Sequence, residues 1–472
     1  MQKIHFSAHG HFYQPPREDP FTNQIPEEFG AAPYSNWTEK IYHECYLPNS
    51  IHGNFEKISF NIGPTLMIWL NKEHPETYRA IIQQESMVKK RTGVSNALSQ
   101  PFFHIIMPLA TPRDQYTMTY WGIRAFQKDF GHAPEGMWLP ETAVDMPTLR
   151  TLAKCGINYT ILAPWQAQNP HIDVTRPYRI NLSNEDHIIV FFYNAFLSSE
   201  ISFNPSASEN ADTFVQNWLI PQAELQKQER AQLFLAASDG ELYGHHQPFR
   251  DQFLSYLLNG AVEDAHIEHT FPALWLKNHP DMTSTSIMEN TSWSCHHGIE
   301  RWRNVCGDAP TATWKKPLRE FMDALCSTLD TVFESSLQDL FDDPWSLRND
   351  FIEVLLGNQE LDAFLEQHLG ETPALEERTQ IVLLLKSQYE RLRMLSSDAW
   401  FFYDLDRIEP LNALKYAAHA VYLTEKAVGV SPVKDLIDII SRAKSELSGL
   451  TGDMAFLGFL KKFEMQYSQS SD

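Results

Sequence analysis

In the first half of the chain, apolar residues gather in short runs rich in β-branched and aromatic side chains. These runs lie near 3–12, 56–62, 102–110, 135–140, 158–163, 187–194 and 231–239. Bounded by Gly, Pro and Asn, runs of this length predict strands. Between several of them the apolar spacing switches to the helical period, after Gly63-Pro64 and near 113–130, 145–156 and 211–228. Pro64 suits a first helical turn, where its missing N–H costs no hydrogen bond. Strands alternating with helices predict parallel pairing in an α/β barrel or a doubly wound sheet, and seven strands suggest an incomplete barrel.

From about Trp314 the helical period persists, over 313–340, 346–369, 374–396, 409–428 and 432–448. Leu325, Leu329 and Phe333 illustrate the spacing, as do Ile381, Leu384, Leu385 and Tyr389. The chain therefore divides into a catalytic α/β part over 1–263, an irregular junction over 264–312 and an α-helical domain over 313–472.

The length of 472 residues exceeds one ordinary core, in keeping with that division. No apolar run reaches the roughly 18–20 residues that span a bilayer. The opening MQKIHFSAHGHF reads as a first strand and not as a signal peptide. A net charge of −22 argues against a nucleic-acid or anionic-membrane partner and fits a neutral substrate. Cys45, Cys155, Cys295, Cys306 and Cys326 are odd in number and irregularly spaced, which predicts a reduced, cytoplasmic protein. With no Cys-x-x-Cys pair, the pattern predicts no structural zinc site. Cys295 beside its histidines offers a thiol nucleophile, but a buried structural cysteine is the commoner case.

In parallel α/β folds chemistry sits where strands end. Four predicted strand ends are polar: His9 to Glu18, Phe60 to Pro64, Gly136 to Glu141 and Ala236 to Pro248. Glu141 and Asp239 each follow an apolar strand directly. Two carboxyl groups facing one cleft are the minimum for glycosidic cleavage, one at the anomeric centre and one protonating the leaving oxygen. Helix capping or pairing with Arg or Lys is the alternative use of such acids. His9 and His11 face one side of the first strand, with His245, His246, His296 and His297 further on. They suit sugar hydroxyls or a metal, although no compact His-Glu-x-x-His spacing is present. There is also no P-loop, no dinucleotide fingerprint and no Gly-x-Ser-x-Gly elbow.

Taken together, the strand-end motifs resemble glycoside hydrolase family 57. His9-Gly10-His11, then Gln14-Pro15 after the inserted Phe12-Tyr13, resembles its His-x-His-Gln-Pro region. Asn61-Ile62-Gly63-Pro64-Thr65-Leu66 is similar to the second region, and Trp138-Leu139-Pro140-Glu141 to the third. Ser238-Asp239-Gly240-Glu241-Leu242-Tyr243-Gly244-His245 resembles the fourth, and Leu395 to Phe402 the fifth. Asn290 to Gly298 resembles a segment that some members place between barrel and helices.

The resemblance implies an incomplete (β/α)7 barrel followed by a helical bundle, no cofactor and no metal, and an α-glucan or maltooligosaccharide substrate. It implies retention of configuration, with Glu141 as nucleophile and Asp239 as general acid/base. The implied activities are α-amylase, 4-α-glucanotransferase, α-glucan branching and α-galactosidase. Substrate contacts are expected from His9, His11, Gln14, Glu241, His245 and Asp398, and stacking from Trp138, Tyr243, Trp293 and Trp400. Phe401 or Phe402 is expected to pack in the core. Two readings from other classes compete. One is metal-dependent polysaccharide deacetylation with His9, His11 and Asp239 as ligands. The other is a non-catalytic glucan-binding protein, against which the two carboxylates argue.

Overall fold

Strand β1, Ile4–Phe12, is buried along almost its whole length, as its run of apolar and small residues requires. The structure, a computed structural model, describes residues 4–183, 186–370 and 372–469. Residue 3, placed in the first strand by the sequence pattern, lies outside them.

β1 pairs in parallel with β2, Ser59–Ile62, on one side and with β7, Gln232–Asp239, on the other. The register sets His11 beside Asn61 and Asp239, and His9 beside Ser59 and Ala237. β2 continues to the two-residue β3, Ala97–Leu98, again in parallel. Isolated parallel bridges join Ser99 to Met137 and Gly136 to Tyr159, so residues 136–138 stand between β3 and β4, Tyr159–Leu162. β4 pairs in parallel with β6, His187–Phe192. Just beyond β6, the Asn194 N–H donates to the Leu235 carbonyl of β7 at 2.7 Å. β5, Tyr178–Asn181, runs antiparallel to β6 and carries β9, Thr283–Thr285. β8, Glu268–His269, adds to the start of β1.

The chain is thus an α/β protein with parallel strands and a helical C-terminal region. The strand expected over 102–110 does not form: that stretch holds one 3-10 turn, Met107–Leu109, and a lone bridge from Ile105 to Ser396. Pro101 and Pro108 remove backbone donors from this stretch. Residues 135–140 contribute bridges, not a strand. The helix expected after Gly63 is Pro64–Glu73, and the one near 145 is Met146–Lys154, whose N-cap Asp145 accepts the Thr148 N–H at 2.8 Å.

The chain divides into two compact units that interleave along the sequence. The first comprises 1–14, 26–102 and 125–294, and the second 15–25, 103–124 and 295–472. The first is cored by Leu98, Trp138, Tyr159, Ile161, Phe191, Leu233 and Leu235 from its successive strands. In the second, the long helices Lys315–Leu337, Leu375–Arg393, Ile408–Val428 and Gly452–Gln469 dominate. The helix expected over 346–369 is broken into Pro344–Asp350, Ile352–Leu355 and Leu361–Leu369, and that over 432–448 shrinks to Ile437–Ile440. Among the described residues no helix is long and apolar enough to cross a membrane.

Candidate active site

Two chain segments of the first unit end at its candidate acids. Asp239 is the last residue of β7, followed by Gly240. A side chain at Gly240 would lie 2.3 Å from the Phe12 ring, so only glycine lets the chain turn there against β1. Glu141 follows residues 136–138 and adopts φ 55°, ψ 17°, with Thr142 at φ 49°. Two successive non-glycine residues in the left-handed region are strained, at a cost of about 1–3 kcal/mol each. Neighbouring polar contacts hold the turn. Thr142 donates from Oγ1 to Gln166 Oε1 at 2.8 Å, and Gln166 Nε2 donates to the Thr142 carbonyl at 2.8 Å.

Glu141 is met by two donors on one carboxylate oxygen. Trp293 Nε1 donates to Oε2 at 3.1 Å, and so does Ser294 Oγ. The Trp293 backbone N–H also donates to the Glu141 carbonyl at 3.0 Å. Asp239 has no such donor set in view. Its side chain is exposed to water at the end of β7, while the protein around it still weighs against its charged form. Burial, then the charge of Glu141, pushes its carboxyl up to about 7.

Glu241 is a third carboxyl, buried, which accepts the Tyr46 hydroxyl at 2.6 Å and the Tyr13 N–H at 3.0 Å. Burial raises it to about 8, with Tyr46 opposing and Asp239 adding to the rise.

His9 and His11 stack on Trp138 at centroid distances of 4.8 and 5.2 Å. His9 Nδ1 accepts from Ser59 Oγ at 2.9 Å, and His9 Nε2 donates to Asn61 Oδ1 at 3.2 Å. Asn61 Nδ2 in turn donates to His11 Nδ1 at 2.9 Å and to Gln100 Oε1 at 2.7 Å. With this amide orientation both imidazoles carry their proton on Nε2. Burial, and for His9 the neighbouring His11, holds both rings down to about 3 against the hydrogen bond each makes with Asn61, so both are neutral.

The family comparison covers His9, His11, Glu141, Asp239 and Glu241 but ends before Trp293 and Ser294. The model of glycosyl hydrolase family 57 matches residues 6–282, more than half of the chain. The chain belongs to glycosyl hydrolase family 57. A second model, described as a domain of unknown function (DUF3536), matches residues 311–467. Alpha-amylase 1 of Dictyoglomus thermophilum is 21% identical over 253 residues, which are 52% of this chain and 32% of that protein. The chain thus spans about a third of the length of this curated relative. Among solved structures, an exo-type maltose-forming amylase from Pyrococcus sp. ST04 superposes with a TM-score of 0.74 at 13% identity, covering 97% of this chain and 88% of that one. A branching enzyme of the same family from Pyrococcus horikoshii gives a TM-score of 0.64 at 14% identity, covering 97% of both chains. These likenesses show a shared fold.

Against this family frame, the structure separates the expected site residues into groups. Glu141, Asp239, His11 and Trp293 come together in the first unit, linked by hydrogen bonds, ring contacts or charge. Trp293 is partly exposed, so a face remains for a sugar ring. Trp138 and Tyr243 do not fit stacking. Trp138 is fully buried beneath the imidazoles, and buried Tyr243 accepts at its hydroxyl from Ser238 at 3.1 Å. Gln14 is buried and donates to the Tyr13 carbonyl at 2.9 Å, and His245 is paired with Glu44 at 2.5 Å.

In the second unit, Trp400 is fully buried, with the Arg319 guanidinium 4.0 Å above its ring and its Nε1 donating to the Lys315 carbonyl at 3.3 Å. Trp400 is therefore the core residue of its motif, and Phe401 is the exposed one, the reverse of the expectation. Asp398 is partly buried at the start of the short helix Asp398–Phe401. The metal reading on His9, His11 and Asp239 meets a geometric obstacle, because both ring nitrogens of His9 are already engaged. Ser294, Asn61 and Tyr46 were missed as contributors. Of these, Asn61 and Ser294 lie in the singled-out stretches Asn61–Leu66 and Asn290–Gly298, whereas Tyr46 left no trace in the sequence.

Proposed function

We propose that this glycoside hydrolase acts on α-glucans, cleaving α-1,4 bonds with retention of configuration. Glu141 attacks the anomeric carbon while Asp239 gives its proton to the departing glycosidic oxygen. Asp239 then takes a proton from water, which releases the glycosyl group from Glu141. The observation that carries this reading is the unlike treatment of the two carboxyls. Donors from Trp293 and Ser294 favour a charged, oriented Glu141, while crowding and the Glu141 charge favour a protonated Asp239 near neutral pH. Neutral His11 and the open face of Trp293 suit an uncharged sugar. No step in this chemistry requires a cofactor.

The strand order β7-β1-β2-β3, residues 136–138, β4 and β6, with the Asn194–Leu235 hydrogen bond beyond, supports an incomplete barrel of seven parallel segments. Its strand ends would then form the cleft. The second unit is read as the accompanying helical bundle, and five free cysteines suit a reducing cytoplasm.

The test is azide rescue of Glu141→Ala and Asp239→Ala on an aryl maltoside. Azide replacing the nucleophile gives the inverted glycosyl azide, and azide replacing the acid/base gives the retained one. The expected result is inversion with Glu141→Ala and retention with Asp239→Ala. Swapped outcomes, or unchanged turnover in either variant, overturn the assignment. Products longer than a maltooligosaccharide substrate would make transfer the main reaction.

A further inference from the structure

Cys295, His297, Cys306 and Asp308 each place one ligand atom so that all four lie within 4.8 Å of one another. All four belong to the second unit. None is used by the glycosidic chemistry. We propose that these four side chains bind a single zinc-type divalent cation in a closed, structural site.

The donor set is the first argument. Two thiolates, an imidazole nitrogen and a carboxylate oxygen are the ligand types of tetrahedral zinc, and four protein ligands leave no position for substrate. Zinc bonds of ~2.0–2.3 Å put neighbouring ligand atoms roughly 3.3–3.8 Å apart, so sub-ångström side-chain movements close the site.

The backbone is the second argument. Each pair of ligands rides on its own tight turn. Gly298 N–H donates to the Cys295 carbonyl at 3.2 Å with Gly298 at φ 80°, and Ala309 N–H donates to the Cys306 carbonyl at 2.9 Å. Gly307 lies between the second pair, and a side chain there would come within 2.7 Å of the His297 ring. Residue 307 must therefore be small for the two turns to face each other.

Charge is the third argument. The Lys315 ammonium is buried with no hydrogen-bond partner among the described residues. Arg301 Nη2 lies 3.4 Å from Asp308 Oδ2. With neutral thiols, Asp308 is answered by Arg301, and Lys315 is a buried cation without a counter-charge. A divalent cation with two thiolates and a carboxylate carries a net charge of −1, which Lys315 balances. The spacing Cys-x-His and Cys-x-Asp explains why a search for Cys-x-x-Cys finds nothing.

The test uses the full chain, purified without chelator and analysed for metal. One equivalent of zinc per chain is expected, with Cys295 and Cys306 protected from thiol reagents until the metal is removed. Cobalt substitution should give an intense thiolate-to-metal charge-transfer band. Ser replacement of either buried cysteine risks misfolding, so Asp308→Ala at an exposed position serves as the second variant. It should weaken zinc binding at least tenfold and shift the cobalt spectrum while leaving the chain folded. Substoichiometric metal after zinc incubation overturns the proposal. So does a Cys295–Cys306 disulfide detected by mass, or unchanged cobalt spectra in Asp308→Ala.

Discussion

Two aspartates, one in each unit, show how unlike neighbours turn a carboxyl to opposite ends. Asp114 is 1% exposed and Asp239 keeps surface open to water, yet loss of solvation is the largest influence on each carboxyl, acting upward. Asp239 has the negative Glu141 for a neighbour, and its carboxyl rises to about 7. Asp114 instead meets Arg391 at 2.6 Å and Arg348 at 3.1 Å, and these guanidinium groups pull its carboxyl below the ordinary value. Arg391 also reaches Asp330 at 2.8 Å, which makes a buried ionic network in the helical unit. A buried acid that is paired supports the fold. One kept beside another acid is poised to move a proton.

The largest test of this contrast is on stability. Asp114→Ala leaves Arg348 and Arg391, each 1% exposed, without their shared carboxylate. A loss of about 3–5 kcal/mol in chemical denaturation is expected. A loss below about 1 kcal/mol would break the contrast. The pH dependence sharpens it, because the signs differ. Asp114 is depressed, so its stabilisation is complete above the unfolded carboxylate value of about 3.9 and is lost as pH falls from there through its folded pKa. Asp239 is raised, so the folded state loses stability as pH climbs from about 3.9 to about 7. Asp114→Asn should therefore flatten the acid side of a Tm–pH profile, and Asp239→Asn should raise Tm relative to the parent above pH 7.

The next test addresses Glu141. Ser294→Ala or Trp293→Phe removes one donor from its carboxylate. Turnover should fall roughly 10- to 100-fold, the range for losing a hydrogen bond to a charged group, with Tm nearly constant. Unchanged turnover would show that these donors do not orient the nucleophile. The smallest effect concerns Asp239 itself. In the proposed role of general acid it must be protonated, so kcat should decline as pH rises through about 7. In Glu141→Gln, the ionisation of Asp239 followed by carbon NMR should move down. It should stay above the ordinary 3.8, since burial is the larger cause.

Much of the first unit was legible because local chemistry and tertiary placement agree there. The strand end at Asp239 and the bridged segment before Glu141 announce themselves by an apolar run meeting a polar residue, and the Pro64 and Asp145 helix starts follow from single side chains. The stretch 102–110 misled because its apolar residues serve burial without strand pairing: Phe103, Ile105 and Met107 are buried although no strand forms. Trp400 and Phe401 illustrate the same limit. Adjacent aromatic residues on a helix face different ways, and periodicity alone does not say which way is inside.

The sequence by itself determined the alternation of strands and helices and the helical second half, and it singled out Glu141 and Asp239 as candidates, because each depends on neighbours in the chain. Only the tertiary structure decided which side chains serve them. Ser294 reaches Glu141 across 153 residues, Asn61 ties His9 to His11, and Trp138 lies beneath both imidazoles rather than against a sugar. The reason is physical. A hydrogen bond or a stacked ring is set by separation in space, and on that the intervening sequence places almost no local constraint.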